Sequence, residues 1–202
     1  PIEQLSFEEA AELAYIGAKI LHPSSILPAK LAAIPVRLKN TLRPDAPGTL
    51  ITGQTNHRGF KAIAAKDNIT VIKIKSGRML MAYGFLRKIF EVFEIFRTPI
   101  DMIATSEVSV SVTIDDTSAI DAIKKELKKY GSVVVEEQQT IVCIVGDFIA
   151  DSKGHASRIF QQLEDIPLGM ISYGGSRHNI SMLVKTKDKK PALEALNRIF
   201  KL

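Results

Sequence analysis

PIDMIATSEVSVSVTID, residues 99–115, carries the alternation on which the fold turns. From Val108 to Asp115 every second residue is Val or Ile, and the positions between are Ser109, Ser111, Thr113 and Asp115. A period of two is that of a strand with one buried face. The segment before it, IDMIATS, reads as a further strand. Asp101, Thr105, Ser106 and Glu107 crowd the strand entrance with oxygen-bearing side chains, where a plain edge strand needs only a turn.

This strand pair is flanked by two helical patterns. GFLRKIFEVFEIF (84–96) puts Phe85, Ile89, Val92, Phe93 and Phe96 on one face, with Arg87, Lys88, Glu91 and Glu94 off it. SAIDAIKKELKKYG (118–131) is the second amphipathic helix. With NITVIKIKS (68–76) before and SVVVEEQ (132–138) after, the order is βαββαβ, the ferredoxin-like arrangement of an antiparallel sheet with helices on one face. A diverged copy follows: TIVCIVGD, HASRIFQQLEDI, GMISYGG, HNISMLVKT and KKPALEALNRIF (140–200). It lacks a sixth element. FKAIAAKD (60–67), stranded ahead of the first copy, has the length to supply it, so the first repeat is expected to be inserted within the second.

The N-terminal stretch differs. SFEEAAELAYIGAKIL (6–21) opens with Ser6 and carries Glu9 three residues on, a capping-box spacing, with helical periodicity up to Gly17. AIPVRLKN (33–40) reads as a short strand and TLRPDAPGTLIT (41–52) as a Pro/Gly loop entering another extended piece. GQTNHRG (53–59) is polar and without period, and marks a domain boundary.

Composition narrows the function classes. The 202 residues are 46% hydrophobic and 24% charged, which suits a globular protein. No apolar run reaches membrane-spanning length, and the start has neither the basic nor the apolar part of a secretory signal. The absence of an initiator Met suggests a chain cut from something longer. Cys143, the single cysteine, lies in an apolar strand with no adjacent base and reads as a small buried hydrophobe. The net charge of +5 resides largely in KKELKK (124–129) and KTKDKK (185–190), charge runs that read as solvated faces. An RNA-binding sheet would need aromatics on its central strands, and TVIKIKS and EVSVSVTID have none. No phosphate-binding loop, nucleophile elbow or zinc-spaced Cys/His set is present; His22, His57, His155 and His178 have no metal-ligand spacing. No metal site, nucleic-acid partner or membrane is expected.

What remains is small-molecule binding where the first strand gives way to the first helix, SGRMLMAYGF (76–85). A helix starting near Gly84 offers free N–H groups to a carboxylate. Asp101 and Glu107 could answer an ammonium group, and a free amino acid carries both. The ordinary alternative is that two acids merely flank a β-turn.

These residues resemble a known family. GAKILHPSSILPAKLAAIPVRLKNTLRPDAPGTLIT (17–52) is similar to the end of the catalytic domain of aspartate kinases. IDMIATSEVSVSVTID and ISYGGSRHNISMLVK (171–185) resemble the corresponding segments of their first and second ACT regulatory domains. The resemblance implies an α+β fold: a remnant of the α/β amino-acid-kinase domain at 1–53, a first ACT domain at 68–137, and a second from 60–67 plus 138–202. It implies a cytoplasmic parent enzyme that phosphorylates the side-chain carboxylate of aspartate with ATP and Mg. The kinase core would precede Pro1, so this chain alone is expected to be inactive and to need no cofactor. Lys19, in GAKILHP, matches a lysine the family uses toward the nucleotide; a reading in which it retains nucleotide chemistry is the competing enzyme hypothesis.

By position, Met79, Ala82, Gly84, Phe85 and Leu86 match the family's effector loop and helix start. Ile100, Asp101, Ser106 and Glu107 match a strand contributed by the partner subunit of a homodimer, formed by edge pairing of the VSVSV sheets. Lysine-sensitive relatives can carry serine where this chain has Pro99 and Ala82, which removes two hydroxyls and, at Pro99, an N–H. Lysine is the first choice of feedback effector, because its extra ammonium needs a counter-charge, and threonine the second. The alternative is a structural dimerisation module with a vestigial effector site.

Overall fold

A computed structural model describes residues 2–17, 22–53, 55, 59–77, 79, 83–147 and 153–201. In chain order its elements are β1 (Gln4–Ser6), α1 (Phe7–Tyr15), α2 (Pro23–Leu31), β2 (Val36–Leu38), β3 (Thr49–Thr52), β4 (Gly59–Lys75), α3 (Phe85–Ile95), β5 (Ile103–Thr105), β6 (Ser109–Ile114), α4 (Ile120–Leu127), β7 (Ser132–Asp147), α5 (His155–Gln162), β8 (Met170–Ser172), β9 (Asn179–Lys185) and α6 (Lys189–Asn197). They fall into two units, Asp67–Thr140 and Pro1–Lys66 with Ile141–Leu202.

In the unit Asp67–Thr140 the strand order is β5-β6-β4-β7. Lys73 pairs with Ser111 and Ile74 with Val110 across β4 and β6, and Ile103 pairs with Val112 across β5 and β6. Val110, Val112 and Ile114 of β6 are fully buried, and Ile72, Ile74, Ile89, Phe93, Ile123 and Leu127 complete the core against them. The alternation 108–115 thus buries its apolar face under α3 and α4. One expectation is corrected here. β6 lies between β5 and β4, so VSVSV cannot be a dimer edge; the unpaired edge on that side is β5.

α3 starts at Gly84, whose φ of 75° suits glycine, and no side chain caps it. It ends in a Schellman motif: Arg97 takes φ 50°, its N–H donates to the Glu94 carbonyl at 3.0 Å, and the Thr98 N–H donates to the Phe93 carbonyl at 2.9 Å. Pro99 follows directly, unable to continue the helix, and the chain turns toward β5.

In the other unit the order is β4-β7-β9-β8, with β4 supplying the strand that the second repeat lacks in its own sequence. Val142 and Ile144 face α5 and α6, while Cys143 and Val145 face Leu5, Phe7 and Ile51 of the N-terminal piece. Both faces are covered, which explains why TIVCIVG is an unbroken apolar run rather than an alternation. The N-terminal piece is a small sheet ordered β1-β3-β2 with α1 and α2. α1 begins with the expected capping box: the Glu9 N–H donates to Ser6 Oγ at 3.1 Å, and the Ser6 N–H donates to Glu9 Oε2 at 2.7 Å. α2 has no counterpart in the sequence reading. It has Pro28 in its interior and buries little besides Ile26, so it shows no apolar stripe.

Two further differences concern strand length. NITVIKIKS continues FKAIAAKD as one 17-residue strand, and SVVVEEQ and TIVCIVGD fall within one of 16 residues. Only a positive φ at Asn68 and at Gln138 interrupts each run.

Candidate effector site

The helix-start residues gather at one end of the sheet of the unit Asp67–Thr140. Lys75 pairs with Ser109, and the Ser76 N–H donates to the Val108 carbonyl at 2.9 Å, so the loop after β4 begins beside the hairpin between β5 and β6. The Met79 N–H bonds to the Ser76 carbonyl, and its side chain packs on the core rim. Phe85 is buried with its ring edge-on to Tyr130, and Leu86 is exposed. Ala82 and Lys19 lie outside the described residues.

The first turn of α3 carries no acidic residue and no side-chain cap, so its N–H groups and the positive end of its dipole are uncommitted within the helix. A Cβ built on Gly84 would meet nothing within 4 Å. α5 repeats the device: Gly154 precedes it at φ 81°, again with no side-chain cap and no acid in the first turn.

Ser106 and Glu107 lie at the same end. The Ser106 N–H donates to the Ser109 carbonyl at 2.8 Å, and the two hydroxyls are 2.6 Å apart, closing a tight hairpin with Glu107 exposed at its tip. The Ser106 hydroxyl thus has a structural partner, Ser109, which sequence reasoning did not single out.

Pro99, Ile100 and Asp101 lie at the opposite end. Ile100 packs against the core, while Pro99 and Asp101 are exposed. The Asp101 N–H donates to the Thr113 carbonyl at 2.9 Å, and the Met102 N–H donates to Thr113 Oγ1 at 2.8 Å. Two residues therefore face one, a bulge-like arrangement of the kind that re-aims a side chain at a sheet edge. From Asp101 to Glu107 the edge strand spans roughly 15–20 Å at about 3.3 Å per residue. One chain does not bring the two acids together.

Other titratable residues have local roles. His22 caps α2, its Nδ1 accepting the Ser24 N–H at 3.2 Å, and His155 stacks obliquely on Phe60 at 4.6 Å; His57 lies outside the described residues. Cys143 is fully buried, and burial pushes its thiol up to about 12, so it is an apolar filler rather than a nucleophile. Glu9, Asp147 and His178, far apart in sequence, converge. Among the described residues no helix is long and apolar enough to cross a membrane.

Comparison with known proteins agrees with this architecture. The ACT domain family model matches residues 142–200. The matched residues are the second repeat, whose sheet β4 completes, and the first repeat has the same ferredoxin-like topology, so the fold is that of a tandem ACT-domain regulatory region. Aspartokinase 3, chloroplastic, of Arabidopsis thaliana is 38% identical over 99% of this chain. The structure of Escherichia coli aspartokinase III in complex with lysine and aspartate superposes with a TM-score of 0.85, at 34% identity over 98% of this chain. A chain described as a C-terminal regulatory domain of aspartate kinase from Porphyromonas gingivalis W83 is 49% identical over 68% of this chain and 94% of its own length, with a TM-score of 0.62. The chain belongs to the aspartokinase family. It spans less than half of the longer relatives, 38% of the Arabidopsis protein and 46% of the E. coli chain.

Proposed function

We propose that this chain is the region through which an end-product amino acid, lysine first and threonine second, feedback-inhibits an aspartate kinase. The carrying observation is the start of α3 at Gly84, without a side-chain cap and at the same sheet end as Glu107. An α-carboxylate seats on the first-turn N–H groups, and ammonium groups require acids. One acid is Glu107. The second, Asp101, comes from a partner, because within the chain it lies at the far end of β5. Ala104 is the midpoint between the two acids, so antiparallel pairing of β5 with its two-fold copy about Ala104 sets Asp101 of each chain against Glu107 of the other. The same pairing covers an otherwise open edge. The effector set is then Met79, Ala82, Gly84, Phe85, Leu86, Ser106 and Glu107 from one chain with Pro99, Ile100 and Asp101 from the second. This divides residues that the family resemblance assigned to one partner strand.

The E. coli relative solved with lysine and aspartate supports lysine as the effector. Domain limits of 1–53, 68–137 and 60–67 plus 138–202 fit this reading. The parent activity is ATP- and Mg-dependent phosphorylation of the aspartate side-chain carboxylate, in the cytoplasm, although the Arabidopsis relative is chloroplastic. This chain alone binds ATP negligibly, Lys19 included, because the positioned groups of phosphoryl transfer lie elsewhere. Micromolar ATP affinity by titration would refute that point. Regulation is a coupling free energy of about 1–3 kcal/mol between effector and substrate sites.

A second reading, a dimerisation module with a vestigial site, draws on Pro99, which offers neither hydroxyl nor N–H, and on the engagement of Ser106 with Ser109. Isothermal titration with lysine, threonine and methionine separates the two. Heat from lysine supports the regulatory reading; no heat from any of the three, with a dimer intact by sedimentation, leaves the scaffold.

A further inference from the structure

Glu9 is fully buried at the start of α1. Its Oε2 accepts the Ser6 N–H at 2.7 Å and the Lys61 ammonium at 2.8 Å. Its Oε1 is buried and has no hydrogen-bond partner. A carboxylate oxygen in that position is costly unless something positive completes it. Lys61 is already shared between Glu9 and Thr55 Oγ1, at 2.8 Å each.

Two further side chains converge on Glu9. Asp147, 7% exposed at the end of β7, and His178, beside the start of β9, each bring one ligand atom, and these and a Glu9 oxygen all lie within 4.8 Å of one another. Asp147 Oδ1 and His178 Nδ1 are 3.7 Å apart. The frame behind them is fixed, since the Gly146 N–H donates to the His178 carbonyl at 2.9 Å and the His178 N–H to Ser176 Oγ at 3.1 Å. Among the described residues, Glu9 is paired with the Lys61 ammonium, and Asp147 lies against the His178 imidazole.

We propose that Glu9, Asp147 and His178 form a binding site for a divalent cation of the zinc class. One imidazole with two carboxylates suits zinc and its neighbours, whereas calcium and magnesium favour oxygen alone. A cation about 2.1 Å from each ligand sits among atoms up to roughly 4.2 Å apart, so binding draws the three together by tenths of an ångström. A water completes the coordination. The ion would clamp α1 of the N-terminal piece to the ends of β7 and β9 within its own unit, which is a structural role independent of the effector reading.

The test is zinc stoichiometry and affinity on the 202-residue chain, stripped with chelator and titrated with ZnCl2 against a fluorescent competitor. One zinc per chain is expected, with Asp147→Asn and His178→Gln each weakening it at least ~10-fold. Cobalt(II) provides a readout on the unmutated chain: visible d–d bands without a thiolate charge-transfer band, and paramagnetic broadening of the His178 ring signals but not those of His22. No stoichiometric zinc, unchanged affinity in both variants, or cobalt broadening elsewhere would overturn the site. So would a His178 ring that simply titrates as an ion-pair partner of Asp147 in a chain that takes up no metal.

Discussion

At the scale of single residues, the acids at the two ends of β5 carry the argument. A charge-assisted hydrogen bond to a desolvated ammonium is worth about 1.5–3 kcal/mol. Asp101→Ala and Glu107→Ala should therefore each weaken lysine binding by roughly one to two orders of magnitude by calorimetry, with thermal stability unchanged because both side chains are exposed. Unchanged affinity in both would remove them from the site. Cys143 yields a pH prediction. An ordinary thiol value of 9.0 is raised by burial to about 12, so the folded state favours the neutral thiol. The stability this lends is complete below about pH 9 and is lost as pH rises toward 12. Between pH 8 and 10.5 the urea midpoint of the unmutated chain should fall further than that of Cys143→Ala; parallel curves would contradict the assignment.

At the scale of elements, β5 is the part most open to test. The Ser106 N–H bonds to Ser109 and the Thr113 N–H to the Met102 carbonyl, so by the alternation of antiparallel ladders Ile103 and Thr105 turn their backbone groups to the open edge. Thr105→Pro removes an outward donor without breaking a bond to β6. It should shift the proposed dimer to monomer in sedimentation while circular dichroism stays native; a persistent dimer would place the interface elsewhere. Much at this scale was legible beforehand. The two-residue alternation of 108–115, the 3.6-residue stripe of 84–96 and the Ser6–Glu9 capping box each depend on local physics, and each appears in the structure. The nesting of the repeats was legible because a missing strand can be counted. α2 was not, since a nine-residue helix with an interior proline and, among its described side chains, Ile26 alone buried leaves no periodic trace. Nor was the bulge at Asp101 and Met102, which depends on how Thr113 divides its carbonyl and hydroxyl between them.

At the scale of the whole molecule, what escaped the sequence is what depends on distant residues meeting. Glu9, Asp147 and His178 show no ligand spacing, because α1, β7 and β9 bring them together only in the folded chain. The two acids of the proposed effector site show the reverse: six residues apart in sequence, they lie too far apart along a strand to serve one ligand in one chain. In the proposed effector site, Glu107 comes from one protomer and Asp101 from its partner. Complementation tests this most directly, with a dimer purified through two tags in which one chain carries Asp101→Ala and the other Glu107→Ala. One site then keeps both acids and the other keeps neither. Lysine calorimetry should recover one site of unmutated affinity per mixed dimer, although both parent homodimers are impaired. A mixed dimer as weak as its parents would contradict the account.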